Sequence, residues 1–144
     1  MRNQTFRRPE AIYPPDEWKI TENGYEESRN LRNETIFALG NGYLGMRGNF
    51  EEGFGGQAGQ SVRGTYLNGF YESEPIHYPE GAYGFARNSQ TMLNVADAKG
   101  IAVYVDGERF SLHAGKVHRY ARELDLQAGV LTRTVEWESP GGRR

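Results

Sequence analysis

Glycine is so frequent between residues 40 and 59 that this part of the chain is not expected to form a helix. Glycines stand at positions 40, 42, 45, 48, 53, 55, 56 and 59, and each glycine inside a helix costs roughly 1 kcal/mol relative to alanine. The first three spell G-x-G-x-x-G, which in a dinucleotide-binding fold opens a helix that faces the pyrophosphate. Because no helix is expected to start here, we exclude a nucleotide site.

The dipeptide Asp106-Gly107 predicts a β-hairpin, since residues of this kind suit a type I′ turn. Pairing across the turn sets Val103 opposite Phe110 and Ile101 opposite Leu112. Side chains alternate between the two faces of a strand, so these four apolar side chains share one face. We therefore expect the hairpin to contribute a buried face to the core.

Two other regions have the pattern of strands. Residues 18–22 alternate apolar and polar side chains, which predicts the first strand. Residues 118–126 and 130–138 predict a second hairpin, with Gly129 in the left-handed position of a three-residue loop.

The region before and after the first glycines is less regular. Residues 30–39 predict a short helix with Asn30 or Asn33 as N-cap and Gly40 at its end, and an extended approach to the glycines is the alternative. Between residues 50 and 85, glycine and proline interrupt the aromatic residues, which predicts loops that join short strands.

The two ends complete the predicted domain organisation. Residues 1–17 are polar and rich in proline, and are expected to form an extended arm. Near the other end, the segment 139–142 predicts a turn in which Gly141 takes a positive φ. Such a turn should lead to a returning strand, so residues 18–144 are expected to be part of a larger all-β domain. The predicted fold is an antiparallel, supersandwich-like β-sandwich with at most a short helix.

Charge and composition argue against a nucleic-acid partner, a membrane span and a metal site. The net charge is −2 without a block of either sign, so we expect no nucleic-acid partner. The longest apolar run has five residues, 101–105, whereas a membrane span needs about 20. The chain has no cysteine and its three histidines are dispersed, so no metal site is expected. The first twenty residues lack an apolar secretory segment, which predicts a cytoplasmic location.

Six blocks of the sequence resemble, in the same order, the opening of glycoside hydrolase family 65, which includes the inverting phosphorylases of maltose, kojibiose and trehalose. The first block reads Asn-Gly-Tyr-Leu-Gly from position 41. The blocks are 41–45, 47–53, 64–72, 93–97, 105–108 and 124–126 leading to 129–133. The resemblance covers only the amino-terminal β-sandwich domain of the family.

The resemblance implies an enzyme much longer than this chain. Its catalytic acid would be a glutamate on an (α/α) barrel of the same polypeptide, and inorganic phosphate would act as the nucleophile without an organic cofactor. The full-length enzyme would convert an α-linked glucose disaccharide into glucose and β-glucose 1-phosphate, and would be a homodimer. The alternative is a stand-alone β-sandwich module for carbohydrate binding or assembly.

The chain itself offers no convincing pair of catalytic carboxylates. Glycosidases use two carboxylates on opposite sides of the scissile bond, and the candidates here are Glu51, Glu52, Glu72 and Glu74. Glu51 and Glu52 are adjacent, so on a strand they would point to opposite faces. We predict solvated loop carboxylates and assign no catalytic residue, so the chain alone is expected to be inactive.

The residues predicted to have a specific role bind substrate or contact the neighbouring domain. They are Asn41, Tyr43, Arg47, Tyr66, Phe70 and Tyr71. The aromatic residues of this region, which also include Tyr78, Tyr83 and Phe85, suit either stacking against sugar rings or packing against a second domain, and packing is favoured. Asn41 and Arg47 are expected to form a hydrogen-bonded structural knot at the edge that faces the barrel.

Overall fold

The computed structural model describes residues 12–144, which form antiparallel sheets and one short α-helix. The strands are β1 (Lys19–Asn23), β2 (Leu39–Gly40), β3 (Leu44–Met46), β4 (Thr65–Pro75), β5 (Asn88–Asn94), β6 (Tyr104–Val105), β7 (Glu108–Arg109), β8 (Lys116–Asp125) and β9 (Val130–Glu138). A 3₁₀ turn (Glu27–Arg29) leads directly into α1 (Asn30–Ile36). This composition confirms the predicted all-β, sandwich-type class. Among the described residues, no helix is long and apolar enough to cross a membrane.

The three-stranded sheet has the order β1-β8-β9. The predicted first strand is confirmed as β1. The second hairpin is also confirmed, because β8 and β9 pair from Asp125↔Val130 to Lys116↔Glu138. Gly129 has a φ of 66°, as predicted, although the loop has four residues rather than three. The Asp125 carboxylate accepts hydrogen bonds from two loop N–H groups and so stabilises the longer turn.

The apolar core lies against the three-stranded sheet. Its buried members are Phe50, Leu112 and Tyr120, and the half-buried side chains around them include Phe110 and Val135. Only Tyr120 belongs to a strand among the three buried members, so loop residues cover much of this face of the sheet.

The four-stranded sheet has the order β2-β3-β4-β5 and corrects one prediction. Residues 65–75 form one strand of eleven residues, whereas the glycine and proline content predicted only short strands. Gly69 is accommodated with a φ of 85°, at a shift of register between Tyr66 and Tyr71. A bulge absorbs a glycine in this way without ending the strand.

The turn at Asp106-Gly107 is confirmed, but the predicted buried face is wrong. Both turn residues have positive φ, 49° and 82°, and the Phe110 N–H donates to the Val103 carbonyl as the register requires. However, Ile101 and Val103 are 60% and 47% exposed, while Leu112 is buried. Regular pairing covers only β6 and β7, two residues each. Described residues do not cover the first half of the hairpin face.

The predicted short helix is present, although its caps differ. It begins directly after the 3₁₀ turn with Arg29 at the N-cap position, where no side chain caps the helix. It ends at Ile36, with Phe37 at the C-cap position, before Gly40, which lies in β2. Asn30 and Asn33 are buried and use their side chains for contacts with other polar groups, so neither is the cap.

The ends of the chain are only partly described. Residues 1–11 of the predicted arm lie outside the described part, and Ile12 is buried while the Tyr13 hydroxyl donates to Asn33 at 2.9 Å. The turn at 139–142 is confirmed by a hydrogen bond from the Gly142 N–H to the Ser139 carbonyl. Gly142, rather than Gly141, takes the positive φ of this turn.

Candidate functional site

A buried ion pair connects the three-stranded sheet to the helix and to the glycine-rich segment. Arg122 on β8 bonds the Glu22 carboxylate on β1 at 2.8 and 2.9 Å, and both side chains are almost fully buried. Asn33 on α1 donates to the same carboxylate. Arg122 also donates to the Gly48 carbonyl and lies 4.3 Å from the centre of the Phe37 ring. These contacts satisfy a charge that would otherwise be costly to bury.

Glu34 is a second buried carboxylate, and it holds the glycine-rich region against α1. It accepts hydrogen bonds from the Asn30 amide, the Ser61 hydroxyl and the Val62 N–H. The Gly48 N–H donates to the backbone carbonyl of Glu34 at 2.7 Å. The carboxylate therefore has a structural role.

Arg47 uses its guanidinium group to join three segments. It donates to the carbonyls of Val62 and Leu31 and to the Thr35 hydroxyl, at 2.8–3.0 Å. The Glu34 carboxylate lies 3.6 Å away. Because these bonds tie the residues after β3 to α1 and to the chain before β4, they have the structural character predicted for Arg47.

Asn41 forms the turn between β2 and β3. Its side-chain oxygen accepts hydrogen bonds from the N–H groups of Tyr43 and Leu44, and Gly42 takes a φ of 85°. Within residues 12–144, no hydrogen bond joins Asn41 to Arg47, so the predicted knot consists of two separate units.

A shallow groove of about 570 Å³ lies over the β2-β3 hairpin. Three of the predicted site residues line it, namely Tyr43, Arg47 and Tyr66, together with Gly45, Asn68 and Met92. Tyr43 lies at the end of the hairpin loop, is 65% exposed, and accepts a backbone hydrogen bond from Asn68. This groove is the candidate functional site.

Two more predicted residues lie further along the same sheet. Phe70 and Tyr71 are exposed on β4, beyond the bulge at Gly69, and do not line the groove. The Tyr71 hydroxyl donates to the Asn68 side chain at 3.0 Å. The fold therefore separates the predicted aromatic residues into a groove and an exposed β4-β5 arm.

Residues 20–144 match the family described as "Glycosyl hydrolase family 65, N-terminal domain". The chain belongs to this family. The match confirms the resemblance read from the six sequence blocks, and it includes every strand from β2 to β9.

The similar proteins are much longer than this chain. The α,α-trehalose phosphorylase of Thermoanaerobacter brockii is 54% identical over 99% of the chain, which spans 18% of that protein. The α,α-trehalose phosphorylase of Geobacillus stearothermophilus is 41% identical over 88% of the chain, which spans 17% of its length. A solved structure, "Putative kojibiose phosphorylase from human microbiome", has a TM-score of 0.71 and 29% identity, and covers 88% of this chain and 16% of its own. The chain thus spans about a sixth of the length of the curated relatives it matches.

The candidate carboxylates of this family 65 domain do not form a catalytic pair. Glu52 is buried and binds Arg133 through both oxygens, which corrects its prediction as a solvated loop carboxylate. Glu51 binds the same guanidinium at 2.9 Å. Burial disfavours the charge of Arg133, but the hydrogen bonds and charge of Glu52 outweigh it and raise the pKa of Arg133 above its ordinary value. Glu72 and Glu74 are exposed on β4.

Sequence reasoning missed the polar residues at the centre of the domain. Glu22 falls on the same face of the first predicted strand as Ile20, and this alternation was the one signal for its burial. Arg122 and Glu34 had no comparable signal. A further missed contact joins the Tyr25 hydroxyl to the His113 ring at 2.9 Å, and burial raises the pKa of Tyr25.

Proposed function

We propose that this chain is the non-catalytic N-terminal domain of a longer phosphorylase that transfers glucose from α,α-trehalose to inorganic phosphate. The observation that carries the proposal is the 54% identity to a trehalose phosphorylase across 99% of the chain. The products would be glucose and β-glucose 1-phosphate. The catalytic acid would belong to the part of the polypeptide outside this chain.

The contacts of the acidic side chains support a non-catalytic role. A general acid must reach the glycosidic oxygen from a closed pocket, in which its pKa is raised. Glu52 is held by Arg133, Glu34 by three donors, and Glu22 by Arg122. Each of these carboxylates is engaged in holding the domain together.

The exposed aromatic residues support a contact with a larger neighbour. The β4-β5 arm is a two-stranded ribbon beyond Gly69, and such ribbons are marginally stable unless they pack against something. Phe70 and Tyr71 are exposed there, and the rings of Tyr78 and Phe85 pack on each other at 4.8 Å near the tip. We propose the (α/α) barrel of the same polypeptide as that neighbour. The homodimer and the cytoplasmic location stay predictions.

The proposal is tested with the full-length protein. Trehalose, maltose, kojibiose and nigerose are each incubated with and without phosphate, while glucose and glucose 1-phosphate are assayed. We expect phosphate-dependent turnover that is fastest with trehalose. Preference for another disaccharide would overturn the substrate assignment, and cleavage without phosphate would replace the phosphorylase with a hydrolase.

The 144-residue chain is assayed alongside it as the control for the location of the chemistry. We expect no turnover of any of the four disaccharides. Activity of the chain that disappears in Glu51→Gln, Glu52→Gln, Glu72→Gln or Glu74→Gln would show that the catalytic acid lies in this domain. Tight sugar binding without turnover would favour the carbohydrate-binding module instead.

A further inference from the structure

Two glycines of the groove stand where this domain does not itself require glycine. Gly40 and Gly45 do not have the positive φ values that favour glycine. A Cβ at Gly45 would have the Leu39 carbonyl oxygen at 4.0 Å as its nearest neighbour, and a Cβ at Gly40 would lie 3.5 Å from the Leu44 carbonyl oxygen. Both are ordinary van der Waals distances. An alanine would therefore fit at either position.

At the neighbouring Gly42 and Gly48, by contrast, the structure of the domain itself requires glycine. Gly42 has a φ of 85° in the hairpin loop. A Cβ at Gly48 would lie 2.7 Å from the Phe37 carbonyl oxygen, so the contact between that strand end and α1 requires glycine. The contrast separates Gly40 and Gly45 from the glycines that shape the domain.

Gly40 and Gly45 lie side by side in the groove. They pair directly across β2 and β3, and Gly45 pairs with Tyr66 on β4. Residues that pair directly across strands share a face of the sheet, so two bare stretches of backbone lie next to one aromatic ring. Glycine inside a strand often marks a place where another backbone or a ligand approaches closely.

Two polar side chains of the groove already have partners within the domain. The Arg47 guanidinium donates to three partners, and the Asn68 side-chain oxygen accepts from Tyr71. The exposed surface of the lining is largely apolar and includes Met92. A sugar ring buries hydroxyl groups that need hydrogen-bond partners, so this lining suits apolar side chains better than a sugar.

We propose that the glycine floor of the groove, formed by Gly40 and Gly45, receives an apolar segment of the polypeptide that follows this domain in the longer enzyme. The backbone of that segment packs against Gly40 and Gly45, and its side chains cover Tyr43 and Met92. This inference rests on the proposed function, in which the chain is one domain of a longer protein. The length supports the occupant, because the chain spans only 18% of its trehalose phosphorylase relative.

The experiment is hydroxyl-radical footprinting of the full-length protein without sugar or phosphate, with oxidation rates read at Tyr43 and Met92. In this domain the two side chains are 65% and 41% exposed. We expect both to be oxidised at well below 65% and 41% of their rates in the same protein unfolded in urea, the fractions that their exposure in this domain would allow. Oxidation of both at or above these fractions would overturn the proposal. Protection that develops only after trehalose or glucose is added would also overturn it, because the groove would then be a sugar site.

A pair of variants tests the role of the glycine floor. Gly45→Val in the full-length protein should restore rapid oxidation of Tyr43 and Met92, since the added side chain displaces the docked segment. Gly81→Val is the matched control, because Gly81 has no positive φ, has no atom within 4 Å of an added Cβ, and lies outside the groove. Unchanged protection in Gly45→Val would overturn the close approach of the docked segment to the glycines. If this variant does not fold, the oxidation rates of the wild-type protein still decide whether the segment docks. The oxidation rates need no substrate, so a failure of trehalose turnover leaves this test readable.

Discussion

Arg122 and Glu22 lie directly opposite each other on β8 and β1, and they form an ion pair in which the side chains are only 2% and 1% exposed. Their register places a positive and a negative charge at the same height in the sheet. Asn33 and the Gly48 carbonyl complete the hydrogen bonds, so the pair joins the sheet to the helix and to the glycine-rich segment.

Removal of either charge should strongly destabilise the domain. Arg122→Ala leaves Glu22 buried without its partner, and the loss of one member of a buried pair typically costs about 3–5 kcal/mol. Urea denaturation of the purified chain measures this free energy of unfolding. Arg122→Met combined with Glu22→Leu should recover part of the loss, because no charge stays buried. A single variant with the wild-type midpoint would contradict the structural role.

Gly48→Ala should lower stability although alanine adds only one methyl group. The added Cβ would lie 2.7 Å from a backbone oxygen of Phe37, and overpacking of this kind typically costs about 1–3 kcal/mol. Gly81→Ala is the control, because it meets no atom within 4 Å. Thermal unfolding of both variants should show a clear loss for Gly48→Ala alone. Equal melting temperatures would show that α1 can move away at little cost.

Arg47→Ala in the full-length protein should lower the melting temperature at least as much as it lowers turnover. The variant loses three hydrogen bonds that join α1 to the chain before β4. Arg47→Lys should restore little, since one ammonium group cannot reproduce the planar set of donors. Turnover lost at an unchanged melting temperature would instead make Arg47 a direct substrate-binding residue.

The Asp106-Gly107 hairpin should respond unequally to truncation of its two apolar partners. Phe110 packs edge-to-face on Trp137 with ring centres 5.3 Å apart, so Phe110→Ala should cost about 2 kcal/mol or more. Val103 is half exposed, and Val103→Ala should stay within about 0.5 kcal/mol of the wild type. Chemical denaturation of the 144-residue chain compares the two. Equal, large losses in the free energy of unfolding would show that Val103 is buried like Phe110, as the sequence predicted.

Acid should remove a contribution that Glu138 makes to the pairing of β8 with β9. The hydrogen bond with His118 lowers the pKa of Glu138 below its ordinary value of 4.5. A carboxyl with a lowered folded pKa stabilises the protein above its unfolded pKa, and this stabilisation is lost as the pH falls through the folded pKa. The midpoint difference between wild type and Glu138→Gln should therefore be fully present above the ordinary value of 4.5 and shrink as the pH falls below it. A difference that stays constant with pH would exclude ionised Glu138 as its cause.

Local chemistry determined the parts of this protein that could be predicted from its sequence. Turn residues and strand periodicity placed the Asp106-Gly107 turn, the hairpin around Gly129 and the first strand, because a turn and its register depend on residues close in sequence. The order of the six blocks determined the family. The turn at Asn41 followed the same local logic. The contacts of Arg47 reach residues 12 to 16 positions away, and the knot between Asn41 and Arg47 did not form.

Burial was decided only by the tertiary structure. Glu22 and Glu52 are buried because arginines from β8 and β9, about 100 and 81 residues away, neutralise them, and no local pattern reports such a partner. Ile101 and Val103 are exposed for the converse reason, since their apolar pattern has no distant segment over it within residues 12–144. The same dependence on distant chain explains Gly40 and Gly45. Their sequence resembles a nucleotide-binding motif, whereas the fold pairs them as the floor of an open groove.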